Sequence, residues 1–376
     1  MAARRGCGRV TGARAEALVL ARPGALEARS LSVPGTGADD GILRIEACGL
    51  CGTDHEQYTG HLGAPYAFIP GHEVVGVVER AGADALARWG VSVGDRVAVE
   101  VFMSCRECAS CRSGAYRRCE RHGLGDMYGF VDVEKAPGLW GGYATHLYLA
   151  PDALLLPVPA GLDPVVATVF NPLGAGLRWA VEVPGTGAGD VVVVLGPGVR
   201  GLAACAAAKA AGAEFVMVTG VGPRDADRLA LATRFGADLA VDVSTTDPVR
   251  ALRGAAGRLA DVVVDVTAKA PAAPGQALHL VRPSGTVVLA GTRGTPDAPG
   301  FDPDLIVYKE IRVVGALGVD APAYRSALAL LASGAFPFAD LPRRTAGFAG
   351  IEELLGLMAG ETAGERPVHA VFVPGA

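Results

Sequence analysis

The chain has 376 residues, half of them hydrophobic and 19% charged, with a formal net charge of −5. That length exceeds what one core usually supports and points to about two domains, while the mildly acidic balance gives no electrostatic reason to expect nucleic acid or an anionic membrane as partner. The longest apolar stretches, around residues 191–195 and 203–211, are split by glycine, arginine and lysine and fall far short of the ~20 residues of a membrane span, so a soluble protein is expected.

Residues 1–14 mix small and basic types without apolar periodicity and read as a disordered tail. No apolar signal segment opens the chain, which favours a reduced, cytoplasmic setting over an oxidising one. From residue 15 to about 150 the pattern is short β-rich runs broken by Gly and Pro, among them Leu43 to Ala47, Val74 to Val78, Arg96 to Val99 and Thr145 to Leu149; this spacing predicts a partly barrelled β domain. After Pro172 apolar strands alternate with Ala-rich helices: a strand over 191–195, a helix to 211, a strand over 215–218, a helix over 225–235 and a strand over 262–266. That alternation predicts a parallel sheet. Beyond residues 313–318, a helix over 323–332 and a closing run over 369–373 look like a return to the first domain.

Eight cysteines need sorting. Cys105, Cys108, Cys111 and Cys119 stand in the spacing C-x2-C-x2-C-x7-C, tight enough to close one tetrahedral thiolate shell around a structural zinc. Disulfides need an oxidising compartment. The usual bacterial iron–sulfur spacing ends in C-x3-C-P, whereas Glu120 follows the last cysteine here. Zinc is the expectation, with a metal-free thiol cluster as the alternative. Cys7, Cys48 and Cys205 read as unpaired thiols.

Gly196, Gly198 and Gly201 form G-x-G-x-x-G directly after a buried strand and before a helix, the context that makes this motif a dinucleotide site. Glycines let the backbone approach a pyrophosphate, and the helix N-terminus presents unpaired amides and a positive dipole end. An acid about twenty residues on usually holds the adenine ribose; this chain has Thr219, Gly220, Val221 and Gly222 instead. A 2′-phosphate would meet no repulsion there, and Arg224 and Arg228 offer charge, a slight lean towards NADP over NAD. Thr219 and Arg228 could equally hold ribose hydroxyls.

Cys51-Gly52-Thr53-Asp54 and Gly71-His72-Glu73 place a thiolate and an imidazole about twenty residues apart. Taken with Gly94-Asp95-Arg96-Val97, the four-cysteine lobe, Gly141-Gly142-Tyr143-Ala144 and the glycine turn, all in order, the chain resembles the zinc-dependent medium-chain alcohol and polyol dehydrogenases. The resemblance runs from residue 15 to the end. It implies an α/β plus β fold: a GroES-like β-rich catalytic domain over 15–172 and 318–376, carrying a structural zinc lobe at 100–122, with a Rossmann doubly wound parallel sheet inserted over 173–317. It implies an active site between the domains and two zinc ions. Cys51 and His72 match the family's first two catalytic zinc ligands, and Glu73 the neighbouring glutamate that approaches or joins the metal. Thr53 matches the hydroxyl that accepts the substrate's proton, and Asp54 the carboxylate that orients the histidine. Ala290, Gly291 and Thr292 should border the nicotinamide.

Two positions depart from the pattern. Asn171 stands where the family places its third protein ligand, and a neutral amide is a poor replacement for an anion on zinc; either Glu73 or water fills the place, or the catalytic zinc is weak or absent. Glu56, next to His55, stands where polyol-type relatives often have a relay histidine, and either serves as an outer base or is an ordinary surface acid. The leading expectation is a zinc-containing, NAD(P)-dependent dehydrogenase interconverting a secondary alcohol or polyol and its ketone. An enone or quinone reductase without catalytic zinc, and a non-catalytic nucleotide-binding relative, are the alternatives. The resemblance also implies a homodimer or homotetramer, with the strand near 311–315 a candidate interface. Trp140, Phe102, Met103, Tyr128 and Leu317 are candidates for the substrate pocket, beside the alternative that they are packing residues.

Overall fold

A computed structural model describes residues 12–376. The tail expected over 1–14 and the thiol Cys7 therefore lie outside the described residues, apart from the last three of that segment, of which Arg14 already opens a strand. The chain divides into two compact units: the described residues up to Val169 together with Asp340–Ala376, and Phe170–Ala339.

In the first unit, β1 (Arg14–Arg22) and β2 (Ala25–Ser32) form an antiparallel ribbon. The main sheet is built from β3 (Gly41–Leu50), β4 (Glu73–Ala81), β5 (Arg96–Val99), β6 (His146–Leu149), β7 (Leu155–Pro157), β14 (Arg343–Ala346) and β15 (His369–Phe372). Among the described residues its order is β14-β15-β3-β4-β5-β7, with β6 also paired to β3. The closing run of the chain returns here because β15 lies antiparallel to β3, Ala370 opposite Leu50. β-Branched and aliphatic residues on these strands make the core, including Ile42, Leu43, Val74, Val97, Leu147 and Phe372. Trp140, Tyr128 and Met103 are buried in this core, and Trp140 packs edge-on against Tyr148 at 5.0 Å between ring centres. Phe102 is buried too.

The second unit holds β8 (Val191–Leu195), β9 (Phe215–Gly220), β10 (Leu239–Asp242), β11 (Ala260–Asp265), β12 (Val281–Leu289) and β13 (Arg312–Gly315). All pairings are parallel, in the order β10-β9-β8-β11-β12-β13. The near-continuous apolar runs of β8 and β11 follow from burial on both faces of a parallel sheet. The chain steps outward from β8 to β10, then restarts beside β8 at β11; the strand order reverses there, and in such sheets ligands bind outside the carboxyl ends of the strands at that point.

Two sequence-based boundaries move. The helix expected over 225–235 starts at Gly222 and runs to Ala232, followed by a short 3-10 turn; Pro223, read as loop, sits in its first turn, where proline needs no N–H partner. The helix Ala321–Ser333, placed with the returning segment, belongs to the second unit, so the division falls at residue 340 rather than near 318. The physical reason is packing on the helix Phe170–Leu177: the rings of Phe170 and Tyr324 lie 4.9 Å apart, and the Asn171 amide donates to the Tyr324 hydroxyl at 2.8 Å.

Candidate active site

The cysteine lobe satisfies the demands of a tetrahedral metal. One Sγ from each of Cys105, Cys108, Cys111 and Cys119 lies within 4.8 Å of all the others. Cys105 Sγ and Cys111 Sγ are 3.7 Å apart, matching the edge of about 3.8 Å that follows from Zn–S bonds of about 2.3 Å. Backbone amides are aimed at the sulfurs, Cys108 N at Cys105 Sγ and Cys111 N at Cys108 Sγ, each at 3.4 Å. Donation from the amides of Cys108 and Glu107 brings the Cys105 thiol down to about 6, and N–H···S bonds favour the thiolate form a metal requires. The lobe is moored to its unit by Glu100, fully buried, which accepts the Tyr116 hydroxyl at 2.6 Å and the Phe102 amide at 3.3 Å. Arg106 adds a bond from its guanidinium to the Ala153 carbonyl at 2.7 Å.

A second group forms where β3 ends and the helix Gly52–Thr59 begins. Cys51 occupies the N-cap of that helix, where the dipole favours a thiolate. Asp54, in the first turn, accepts the Cys51 amide at 2.8 Å. His72, just before β4, brings its Nε2 to 3.3 Å from Cys51 Sγ, slightly inside the roughly 3.5 Å expected of sulfur and nitrogen on one tetrahedral zinc. Cys51, Asp54 and His72 are all buried and their donor atoms lie within 4.8 Å of one another. The far end of the helix is seated on the β1–β2 turn: Gly60 caps it at φ +82°, any Cβ there would come within 2.8 Å of Pro23, and the Gly24 amide donates to Tyr58 O at 2.7 Å.

The third donor is the point on which the structure differs from the sequence reading. Glu73 follows His72 directly, so strand alternation directs the two side chains to opposite faces. The Glu73 carboxylate lies over Gly49, its partner across β3, where a Cβ would meet Oε2 at 2.4 Å. The carboxylate that joins Cys51 and His72 is Asp54. Asn171 belongs to the second unit, where its amide is engaged by Tyr324. Thr53 is half-buried on the same helix as Asp54, and Glu56, also half-buried, follows three residues later, one turn along that helix. His55 is buried, its Nε2 3.0 Å from Glu361 Oε2.

In the second unit each glycine of the turn after β8 has its own cause. Gly196 adopts φ +100°, closed to other residues; Gly201 has no room for a Cβ, which would sit 1.8 Å from Gly196 O; Gly198 faces open space, with nothing within 4 Å. Tight turn, close packing and open approach are the three roles a pyrophosphate-binding turn requires. The helix Val199–Ala210 then starts at the N-cap Gly198. At the end of β9 Thr219 is buried, and beyond the strand Asp225 folds back to accept the Val221 amide at 3.0 Å. A Cβ on Gly220 would crowd Pro197 and Asp225. Arg228 lies 3.8 Å from Asp225 and is largely covered, whereas Arg224 is 63% exposed. Ala290 and Gly291 follow β12, both amides donating to the Asp265 carbonyl, and Thr292 comes next. Leu317 belongs to this unit and is 59% exposed.

Residues 37–160 match the alcohol dehydrogenase GroES-like domain family, and residues 200–333 match the zinc-binding dehydrogenase family. The chain is 65% identical over 364 residues to the "Probable alcohol dehydrogenase adh" of Mycobacterium tuberculosis (strain ATCC 25618 / H37Rv), covering 96% of this chain and 99% of that one. The chain belongs to the zinc-containing medium-chain alcohol dehydrogenase family. It is thereby an oxidoreductase of the class acting on CH–OH groups. Among other members of the family, the erythritol/L-threitol dehydrogenase of Mycolicibacterium smegmatis is 32% identical over 340 residues, 87% of this chain and 89% of that one. A zinc-binding dehydrogenase from Sinorhizobium meliloti 1021, solved bound to NADP, superposes with a TM-score of 0.82 at 27% identity, covering 96% and 100% of the two chains. The GroES-like unit and the all-parallel Rossmann sheet are those of this dehydrogenase family.

Sequence reasoning passed over Asp265 and Arg293. Asp265 is fully buried at the end of β11, and the two form an ion pair. A lone acid closing the run Val262-Val263-Val264 was the available signal. It also passed over Arg200, inside the glycine motif, whose guanidinium lies 5.8 Å over the ring of Trp179.

Proposed function

We propose that the chain interconverts a secondary alcohol or polyol and its ketone, passing hydride to or from NAD(P). The observation that carries this reading is the buried thiol, carboxylate and imidazole of Cys51, Asp54 and His72, gathered at the start of the helix that also bears Thr53. These three would hold the catalytic zinc, and the four lobe cysteines the structural one. A bound zinc supplies Lewis acidity, making an alcohol more acidic or a carbonyl more electrophilic.

The chain's own residues do the rest. Gly198 leaves its surface open to the pyrophosphate, and the amides opening the helix Val199–Ala210 meet its charge. Ala290, Gly291 and Thr292 would border the nicotinamide, and a bound NAD(P) would supply the acceptor for the hydride that leaves the alcohol carbon. Thr53 accepts the hydroxyl proton and passes it along the helix face towards Glu56, three residues on. The products are ketone, reduced cofactor and a proton; the reverse reaction returns each to its origin. A slight preference for NADP is supported by Thr219 and Gly220 standing at the end of β9 where a ribose-binding acid is usual, by the covered Arg228 near that turn and by the NADP bound to the Sinorhizobium meliloti relative.

Self-association is supported by β13, which ends the order of the six-stranded sheet and so, among the described residues, leaves an unpaired edge, with Val307 and Tyr308 exposed nearby in sequence. No helix among the described residues is long and apolar enough to cross a membrane, in keeping with a cytoplasmic enzyme. The test is a panel of secondary alcohols, polyols, ketones, enones and quinones, followed by cofactor absorbance, on protein whose zinc content has been counted. Turnover of alcohols or ketones that disappears on chelation and in Thr53→Val is expected. Turnover confined to enones or quinones and indifferent to zinc would overturn the proposal.

A further inference from the structure

Asp265 is the last residue of β11, opposite Leu195 of β8, and thus stands where the strand order reverses. It is a fully buried carboxylate. Oδ1 accepts the Thr267 amide at 3.0 Å and the Thr267 hydroxyl at 2.6 Å. Oδ2 receives Nη2 of Arg293, whose side chain is only 11% exposed. The other guanidinium nitrogens of Arg293 reach the carbonyls of Ala270 and Gly291, each at 3.2 Å. One fork therefore ties the segment after β11 to the segment after β12.

The same segments touch the glycine turn. A Cβ on Gly291 would lie 1.9 Å from the Thr267 carbonyl, and one on Gly196 would lie 3.0 Å from the Thr267 methyl. Three loops, one from each of β8, β11 and β12, are thus locked around Thr267. A planar guanidinium with several fixed donors can join three acceptors at once, which a lysine ammonium on its flexible stem cannot do with the same geometry. Buried ion pairs contribute little net stability, and one well-attested use is to hold a particular arrangement.

We infer that Asp265 and Arg293 are a positioning pair that sets the shape of the nicotinamide end of the cofactor crevice, resting on the proposed reading of that crevice. The named partners of the pair lie on the segments after β11 and β12, not on the segment after β9 that is read as the adenine-ribose side. The pair fixes the backbone of Gly291 and Thr267, against which the nicotinamide ring is held.

The experiment compares two probes, NADH and ADP-ribose, which lacks the nicotinamide, by quenching of tryptophan fluorescence. The proteins are the parent, Arg293→Lys, Arg293→Gln, Asp265→Asn and the Asp265→Asn/Arg293→Gln double variant, each with a melting curve. Arg293→Lys keeps a cation beside Asp265 and so tests the fork without stranding a buried charge. The expected result is NADH binding weaker by about tenfold or more in every variant, with the double variant no worse than the poorer single, as for a pair acting as one unit. ADP-ribose binding is expected to stay within about twofold, since a local shift spares the distant half-site. Equal weakening of both probes would mark a general loosening of the fold and overturn the inference. So would NADH affinity unchanged in the variants while the parent binds normally. A parent that binds neither probe would overturn the reading of the crevice itself, and the inference with it.

Discussion

Gly198 and Gly201 belong to one motif, yet alanine should act on them in opposite ways. At Gly198, φ is −66° and a Cβ meets nothing within 4 Å. Replacing it reduces unfolded-state freedom, worth about 0.4–1 kcal/mol, and weakens an N-cap by a similar amount, so the melting temperature should barely move. On the proposed function the open space is where a pyrophosphate comes, and a methyl group there would displace it from one or two amides. Hydrogen bonds to a charged group contribute about 1.5–3 kcal/mol each, so NADH and NADPH affinity should fall by roughly tenfold if one weak bond is lost and by about ten-thousandfold if two strong ones are. At Gly201 the same methyl would sit 1.8 Å from Gly196 O, a backbone atom that cannot swing aside. Overpacking of this kind costs about 1–3 kcal/mol or more, and a domain of this size loses about 2–4 °C for each kcal/mol. Calorimetric melting without cofactor and fluorescence titration with it separate the two. If Gly198→Ala binds NADH as tightly as the parent, or if Gly201→Ala melts unchanged, the assignment of roles within the turn is wrong.

Three further outcomes can be checked. His369 is fully buried and held neutral, its pKa lowered to about 3 by burial and by Arg343, which donates to its Nδ1 at 2.9 Å. An unfolded histidine titrates near 6.5 and binds its proton first, so stability should fall as pH drops from about 6.5 towards 3 and be insensitive to this group above that window; melting against pH should be flatter in His369→Gln. Cys119→Ser should remove about one zinc per chain by elemental analysis and destabilise the lobe, while a parent preparation carries about two. Arg228→Ala should weaken NADPH more than NADH, by about tenfold if the side chain meets a 2′-phosphate; equal effects on both cofactors would remove the basis for preferring NADP.

What could be read from the sequence was local. The glycine turn, the cysteine lobe and the alternation of strand and helix are set by neighbours close in sequence, and the turn and the lobe stand where their patterns placed them. The third donor beside Cys51 and His72 was not legible in that way. It depends on which face of the sheet Glu73 takes and on Asp54 reaching back over the helix start, and a motif records neither direction. The helix Ala321–Ser333 moved units because Tyr324 meets Phe170 and Asn171, some 153 residues away in sequence. Asp265 and Arg293 are 28 positions apart in sequence, and only the parallel arrangement of β11 and β12 puts them side by side.

The eight-residue helix Gly52–Thr59 has a thiol at one end and, through Gly60, a proline beneath the other. Its foundation is a small two-stranded ribbon outside the main sheet. On the proposed function, metal grip and proton handling both depend on this one short rod, and whatever tilts the rod would disturb both chemistries together. Anyone resculpting the pocket would do well to leave Pro23, Gly24 and Gly60 alone, because crowding that footing could silence the enzyme without altering a single ligand.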